Sequence, residues 1–197
     1  MIRRRGSTRE GFFTLHGIVN KLCRENHLTL ALESIDLLTD SGILISRDVL
    51  HTLLHQCFQK KDLKDAKHIH HLIQKNGLFS VPLFTDQIIR LFTICGSLSH
   101  ARQAFLHASK MTNFTWHAII YAYIKFGYNC EAMDMYVKMQ TDGIMPDKHM
   151  FSCMLTACGS LGSLPHCQIL HIQITMMMAE SECLKREMQQ KGWKSFI

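Results

Sequence analysis

The sequence predicts an all-α fold, an α-solenoid of about five helix hairpins, and three observations predict it. The first is self-similarity at long range. Cys57 and Cys158 lie 101 residues apart, each is followed six residues later by a leucine (Leu63, Leu164), and each leucine is followed seven later by a histidine (His70, His171). The second is that this period divides. Cuts at 12–46, 47–81, 82–112, 113–147 and 148–182 give units of 35, 35, 31, 35 and 35 residues. The third is that apolar residues inside each unit recur at helical spacing, in two runs separated by a turn residue.

The columns of this alignment justify the cut. The eighth residues are Val19, Leu54, Ile89, Ile120 and Leu155, all aliphatic. The eleventh are Leu22, Cys57, Phe92, Tyr123 and Cys158, all apolar or aromatic. The twentieth are Ala31, Ala66, Ala101, Ala132 and Cys167, all small, which lets two helices approach closely. The fifteenth are Asn26, Lys61, Gly96, Gly127 and Gly162, mostly residues that tolerate positive φ.

Taken in order, residues 1–11 form a basic tail of four arginines and one glutamate. Unit 12–46 places Val19 and Leu22 on a first helix and Ala31 on a second that Gly42 ends. Unit 47–81 has Asp62 as N-cap of its second helix, and Gly77 ends it. Pro82 opens unit 82–112, where Ser97 is the cap. In unit 113–147, Trp116, Ile119, Ile120 and Tyr123 make one face of the first helix. Gly127 stops it, Ala132, Met135, Tyr136 and Met139 face inward on the second, and Gly143 and Pro146 close the unit. Unit 148–182 has Ser163 as cap, Pro165 in a first turn, and Met178 where Gly42, Gly77 and Gly143 sit in theirs. Its repeat signal fades from Met176, and 183–197 is a second basic tail.

Composition narrows the function classes. At 197 residues and 47% apolar the chain is too apolar for disorder, and no apolar run reaches the roughly 18–20 residues of a membrane span. The net charge of +6 comes from the tails, +3 each, while 12–182 balances 14 basic against 14 acidic residues. Bulk charge therefore does not mark the middle as a nucleic-acid surface. The eight cysteines are irregularly spaced and read as reduced thiols.

No paired carboxylates, nucleophile elbow or phosphate loop stands out, so no enzyme activity is expected, and neither a cofactor nor a small-molecule substrate. The run Lys67-His68-Ile69-His70-His71 and the set Cys153, Cys158, Cys167 and His171 have poor ligand spacing, with no Cys-x-x-Cys. Packing explains them better. Cys167 stands in the alanine column, and His70 and His171 share a column with Ile35, Phe105 and Tyr136, which implies an interhelical core role.

These residues carry a family resemblance. Asn113-Phe-Thr-Trp116-His-Ala-Ile-Ile, then Glu131-Ala132, then Met139-Gln-Thr-Asp-Gly143-Ile-Met-Pro146-Asp147 resembles the 35-residue pentatricopeptide (PPR) motif. Leu155-Thr-Ala-Cys158-Gly-Ser-Leu-Gly-Ser-Leu164 with His171 resembles its long variant. Cys95-Gly96-Ser97-Leu98-Ser-His-Ala101-Arg102-Gln-Ala-Phe105 resembles its short 31-residue variant. The order of lengths resembles the P-L-S class of land plants, in a short form without the C-terminal extension or deaminase-like domain. His-x-Glu followed by Pro-Cys-x-x-Cys is not in this sequence.

The resemblance implies a right-handed solenoid and a sequence-specific single-stranded RNA binder in an organelle. Its work would be in editing, processing or splicing, with any catalysis supplied by an enzyme in trans. The Arg-rich start, with Ser7 and Thr8, leans mitochondrial over plastid. The resemblance also implies that the fifth and last residues of each unit read one base together. The pairs are His16 with Ser46, His51 with Val81, Asp86 with Thr112, His117 with Asp147, and Ser152 with Glu182. Two rival readings remain: a scaffold that grips another protein, and a degenerate array without activity.

Overall fold

The computed structural model describes residues 17–19, 21–22, 25, 27–40, 42, 45–162, 168, 170, 172–173 and 175. The two tails, His16, Asn26, Ser163, Pro165, Cys167, His171, Met178 and Glu182 lie outside the described residues. Among the described residues the regular structure is helical throughout. The helices are α1 (Leu28–Asp40), α2 (Arg47–Lys60), α3 (Leu63–Lys75), α4 (Pro82–Ile94), α5 (Leu98–Leu106), α6 (Asn113–Lys125), α7 (Asn129–Thr141) and α8 (Lys148–Leu161). A short 3₁₀ turn, Leu78–Ser80, precedes α4. The all-α class and the helix-hairpin repeat are as expected, and no described helix is long and apolar enough to cross a membrane.

The chain divides into two compact units, to Ala122 and from Tyr123. In the first, neighbouring helices in sequence pack together: α1 on α2, α2 on α3, α3 on α4 and α4 on α5. Alternate helices also pack, α1 on α3 and α2 on α4. That second set is the mark of stacked hairpins: first helices form one layer and second helices another. The second-helix layer is pinned by two contacts from α3 to α1, a hydrogen bond between His68 Nε2 and Asp36 and an ion pair of Lys75 with Asp40. In the second unit α7 packs on α8, and the Cys158 Sγ lies 3.7 Å from the Met133 Sδ.

The columns occupy the places assigned to them. Ala31, Ala66, Ala101 and Ala132 are all 0% exposed, so the small twentieth residue sits where helices meet. Val19, Leu54, Ile89 and Ile120 are buried as well, but Leu155, the eighth residue of the last unit, is 44% exposed. Its helix α8 turns the Met150, Met154 and Cys158 stripe inward instead.

The fifteenth column ends the first helices. Gly96, Gly127 and Gly162 have φ of 81°, 81° and 62°, and Lys61 adopts φ of 56° at the same place. Beyond that turn one backbone bond recurs from the sixteenth N–H to the eleventh carbonyl: His27 to Leu22 at 2.8 Å, Ser97 to Phe92 at 2.9 Å and Tyr128 to Tyr123 at 2.9 Å. Around Gly96 and Gly127 this is the closing bond of a helix C-terminus with a left-handed residue inside it. Unit 47–81 uses the simpler bond, Lys61 N–H to the Cys57 carbonyl at 2.9 Å.

Asp62 caps α3 as expected, accepting from the N–H groups of Lys64 and Asp65 at 2.7 and 3.4 Å. Ser97 occupies the cap position of α5, but its hydroxyl bonds the His100 Nδ1 at 2.6 Å and makes no side-chain cap bond. The 31-residue unit saves its four residues largely in the second helix, since α5 has nine residues where α3 and α7 have thirteen.

His70 fulfils the interhelical reading. Its ring stands 5.1 Å from that of Phe79 and 5.4 Å, edge-on, from that of Phe92 on α4. Burial, then the neighbouring His100, His107 and His71, push its pKa down to about 4. Trp116, 1% exposed, packs edge-on against Phe105 with ring centroids 5.0 Å apart.

Candidate nucleic-acid interface

The first-helix layer of the first unit carries a groove of about 540 Å³. Its walls come from three successive first helices. Helix α2 contributes His51, His55 and Phe58, α4 contributes Gln87 and Arg90, and α6 contributes His117 and Tyr121. The helical period explains the set. On every first helix the fifth, ninth and twelfth positions face the same way, because they lie about one turn apart. In the repeat frame these are His51 and His117 at the fifth place, His55, Arg90 and Tyr121 at the ninth, and Phe58 and Thr93 at the twelfth.

The side chains suit a chain of bases and phosphates. Arg90 is exposed on the groove wall and brings a fixed cation. Tyr121, 46% exposed, and the half-buried Phe58 offer ring faces. The imidazoles of His51, His55 and His117 add rings that also hydrogen-bond. Stacking on such rings is worth about 1–3 kcal/mol per base and tolerates any base. The volume fits a small planar ligand or part of a strand.

The residues expected to read bases differ in where they stand. His51 is exposed and His117 half-buried, and both line the groove. Ser152 is exposed on α8, in the second compact unit.

The described last residues serve the next first helix. Ser46 caps α2, its hydroxyl accepting from Val49 N–H at 3.4 Å. Val81 holds the N-cap place of α4 ahead of Pro82 without a side-chain bond. Thr112 accepts from Thr115 N–H at 3.2 Å at the start of α6, and Asp147 accepts from Met150 N–H at 2.8 Å at the start of α8. Capping accounts for the small polar residue at these places, and the N-cap rule applied to the unit junctions finds it in the sequence.

Asp86 stands apart. It is 8% exposed and takes a 2.6 Å hydrogen bond from the Thr115 hydroxyl. Burial raises its pKa, opposed by the bond from Thr115, the charge of Arg90 and the bond from Thr112. His16 and Glu182, the remaining members of the first and last pairs, lie outside the described residues.

Sequence reasoning stopped at the fifth residue and missed His55, Arg90 and Tyr121. Adding four to each fifth position, the spacing of one helical face, finds all three. Elsewhere, no group of three or more His, Cys, Asp or Glu side chains among the described residues is arranged to hold a metal ion.

The PPR repeat family model matches residues 114–144. The Arabidopsis thaliana pentatricopeptide repeat-containing protein At4g25270, chloroplastic, is 30% identical over 148 residues, 72% of this chain and 28% of the relative. The Arabidopsis thaliana pentatricopeptide repeat-containing protein At3g53360, mitochondrial, is 26% identical over 168 residues, 84% of this chain and 22% of the relative. The chain thus spans under a third of the length of these relatives. Among solved structures, the Arabidopsis thaliana nuclear protein-only RNase P 2 superposes with a TM-score of 0.63 at 16% identity, covering 82% of this chain and 38% of that one. At that identity the likeness concerns the helical-repeat fold alone.

Proposed function

Since this chain is a pentatricopeptide repeat protein, we propose that it binds single-stranded organellar RNA along its first-helix groove and acts in RNA processing, editing or splicing without catalysis of its own. The observation that carries the reading is the groove, where Arg90, Tyr121, Phe58 and three histidines from three successive first helices converge. Bases stack on the rings and hydrogen-bond to the imidazoles, and the backbone meets Arg90. The 35-35-31-35-35 order, with a second helix shortened in the 31-residue unit, supports placement in the P-L-S class. The relatives' chloroplastic and mitochondrial names support an organelle as its compartment, and the Arg-rich first residues favour the mitochondrion. An enzyme acting in trans would supply any chemistry on the bound transcript.

Crosslinking the tagged chain in isolated organelles and sequencing the attached RNA tests this. Enrichment of discrete sites over an untagged control is the expected result. Recovery of a protein partner that survives nuclease, with no RNA above control, would favour a scaffold role and remove this function.

A further inference from the structure

The pair expected to read a base in unit 82–112 is consumed inside the protein. Four contacts link Asp86, Thr112 and Thr115. The Thr115 hydroxyl donates to Asp86 Oδ1 at 2.6 Å. The Thr115 hydroxyl oxygen accepts from Thr112 N–H at 3.1 Å and lies 2.9 Å from the Thr112 hydroxyl. Thr115 N–H donates back to the Thr112 hydroxyl at 3.2 Å.

A proton count closes the set. A hydroxyl has one proton and two lone pairs. The proton of Thr115 goes to Asp86, and the single proton of Thr112 is spent within the same cluster, on the Thr115 oxygen or on the Asp86 carboxylate. The hydroxyl of the last residue therefore has no donor left for a base. The fifth residue is 8% exposed, and Thr115, which holds its carboxylate, is 0% exposed.

One turn further along α4, the ninth residue does the opposite. Arg90 is exposed and lines the groove between the walls built by α2 and α6. It is a fixed cation in a stretch, 12–182, whose acidic and basic residues balance. Its charge also offsets that of the buried Asp86.

We infer that unit 82–112 does not read a base through Asp86 and Thr112, and that Arg90 holds the phosphate of the nucleotide opposite this unit. The inference rests on the RNA-binding reading and sharpens it. The array grips one nucleotide by its backbone in the middle of the groove, with no base selected there, while His51 and His117 face bases on either side.

The test uses the full chain and a randomised single-stranded RNA pool, sequenced after selection, with Kd measured across salt. Asp86→Asn keeps the acceptor for Thr115, so it should fold normally and select the same consensus at every position. His117→Asn should change the preference at one position. Arg90→Gln should weaken binding roughly five- to tenfold across all sequences and lower the slope of log Kd against log salt by about 0.7, the value for one phosphate on a single strand. Arg90→Lys should restore most of that slope. A consensus altered at one position by Asp86→Asn overturns the first half of the inference. Unchanged affinity or slope in Arg90→Gln overturns the second. A consensus indifferent to both Asp86→Asn and His117→Asn overturns pair reading and this inference with it. A pool from which the unsubstituted chain selects nothing overturns RNA binding itself.

Discussion

Replacing Lys61 by glycine should stabilise the chain, and Gly96→Ala should destabilise it by a similar amount. Both residues hold the fifteenth column, where the first helix of a unit ends. Lys61 sits there at φ of 56°, the only non-glycine residue with positive φ among the described residues. A side chain in the left-handed region costs about 1–2 kcal/mol. Glycine's greater freedom in the unfolded chain takes back about 0.5–1 kcal/mol, leaving a net gain near 0.5–1 kcal/mol for Lys61→Gly. The exposed lysine side chain makes no ion pair among the described residues, and the neighbouring pair of Lys60 with Asp65, 2.7 Å apart, stays intact.

At Gly96, φ is 81°, and a Cβ placed there meets nothing within 4 Å. The cost of alanine is therefore backbone strain, about 1–2 kcal/mol, less about 0.5–1 kcal/mol for the reduced freedom of the unfolded chain, a net loss near 0.5–1 kcal/mol. Urea unfolding followed by far-UV circular dichroism reads both changes as shifts of midpoint in opposite directions at constant m. A Lys61→Gly chain less stable than its parent, or a neutral Gly96→Ala, would refute the shared column and the repeat frame built on it.

Other outcomes follow from burial. His70 has a folded pKa near 4, below its ordinary 6.5, so the folded state prefers the neutral ring. Its contribution is whole above about pH 6.5 and is lost as pH falls toward 4. The full shift is worth roughly 3 kcal/mol, which solvent reaching this partly buried ring reduces to about 1–2 kcal/mol. His70→Phe, which borrows the ring of Phe105 from the same column, should flatten stability between pH 7 and 4 in urea midpoints; an unchanged acid slope would place the sensitivity elsewhere. Ala101→Leu, at a residue 0% exposed between helices, should cost about 1–3 kcal/mol of unfolding free energy by overpacking. The same change at the exposed Gln103 on the same helix should be close to neutral, and equal effects at the two positions would deny the small column its role.

The repeat frame was legible because a hairpin array writes its structure as columns. A position that must be small, or must turn left-handed, must be so in every unit, and four or five instances make the rule visible. That is why the alanines and the fifteenth residues could be placed before any coordinates. The column logic gave less at the edges. Leu155 obeys its column in residue type but not in burial, since α8 has Met150, Met154 and Cys158 to fill the inward stripe. Ser97 has the residue type of a cap, but a histidine three residues on competes for its hydroxyl, and that contest depends on rotamers.

The groove was half legible. His51 and His117 were in hand through the fifth column, and the ninth column followed from the same helical face. The fate of Asp86 was not legible, because it depends on two hydroxyls 26 and 29 residues away whose proton assignments only three dimensions connect. The capping duty of Ser46, Thr112 and Asp147 was readable from residue type, and it explains these residues without a ligand.

The account stands on RNA lying along the first-helix groove. Ultraviolet crosslinking of the full chain to its selected RNA, followed by mass spectrometry of the nucleotide-bearing peptides, tests that directly. The account predicts adducts in 51–58, 87–94 and 117–121, with the ring of Tyr121 among them. Adducts confined to second helices or to the basic tails 1–11 and 183–197 would contradict it.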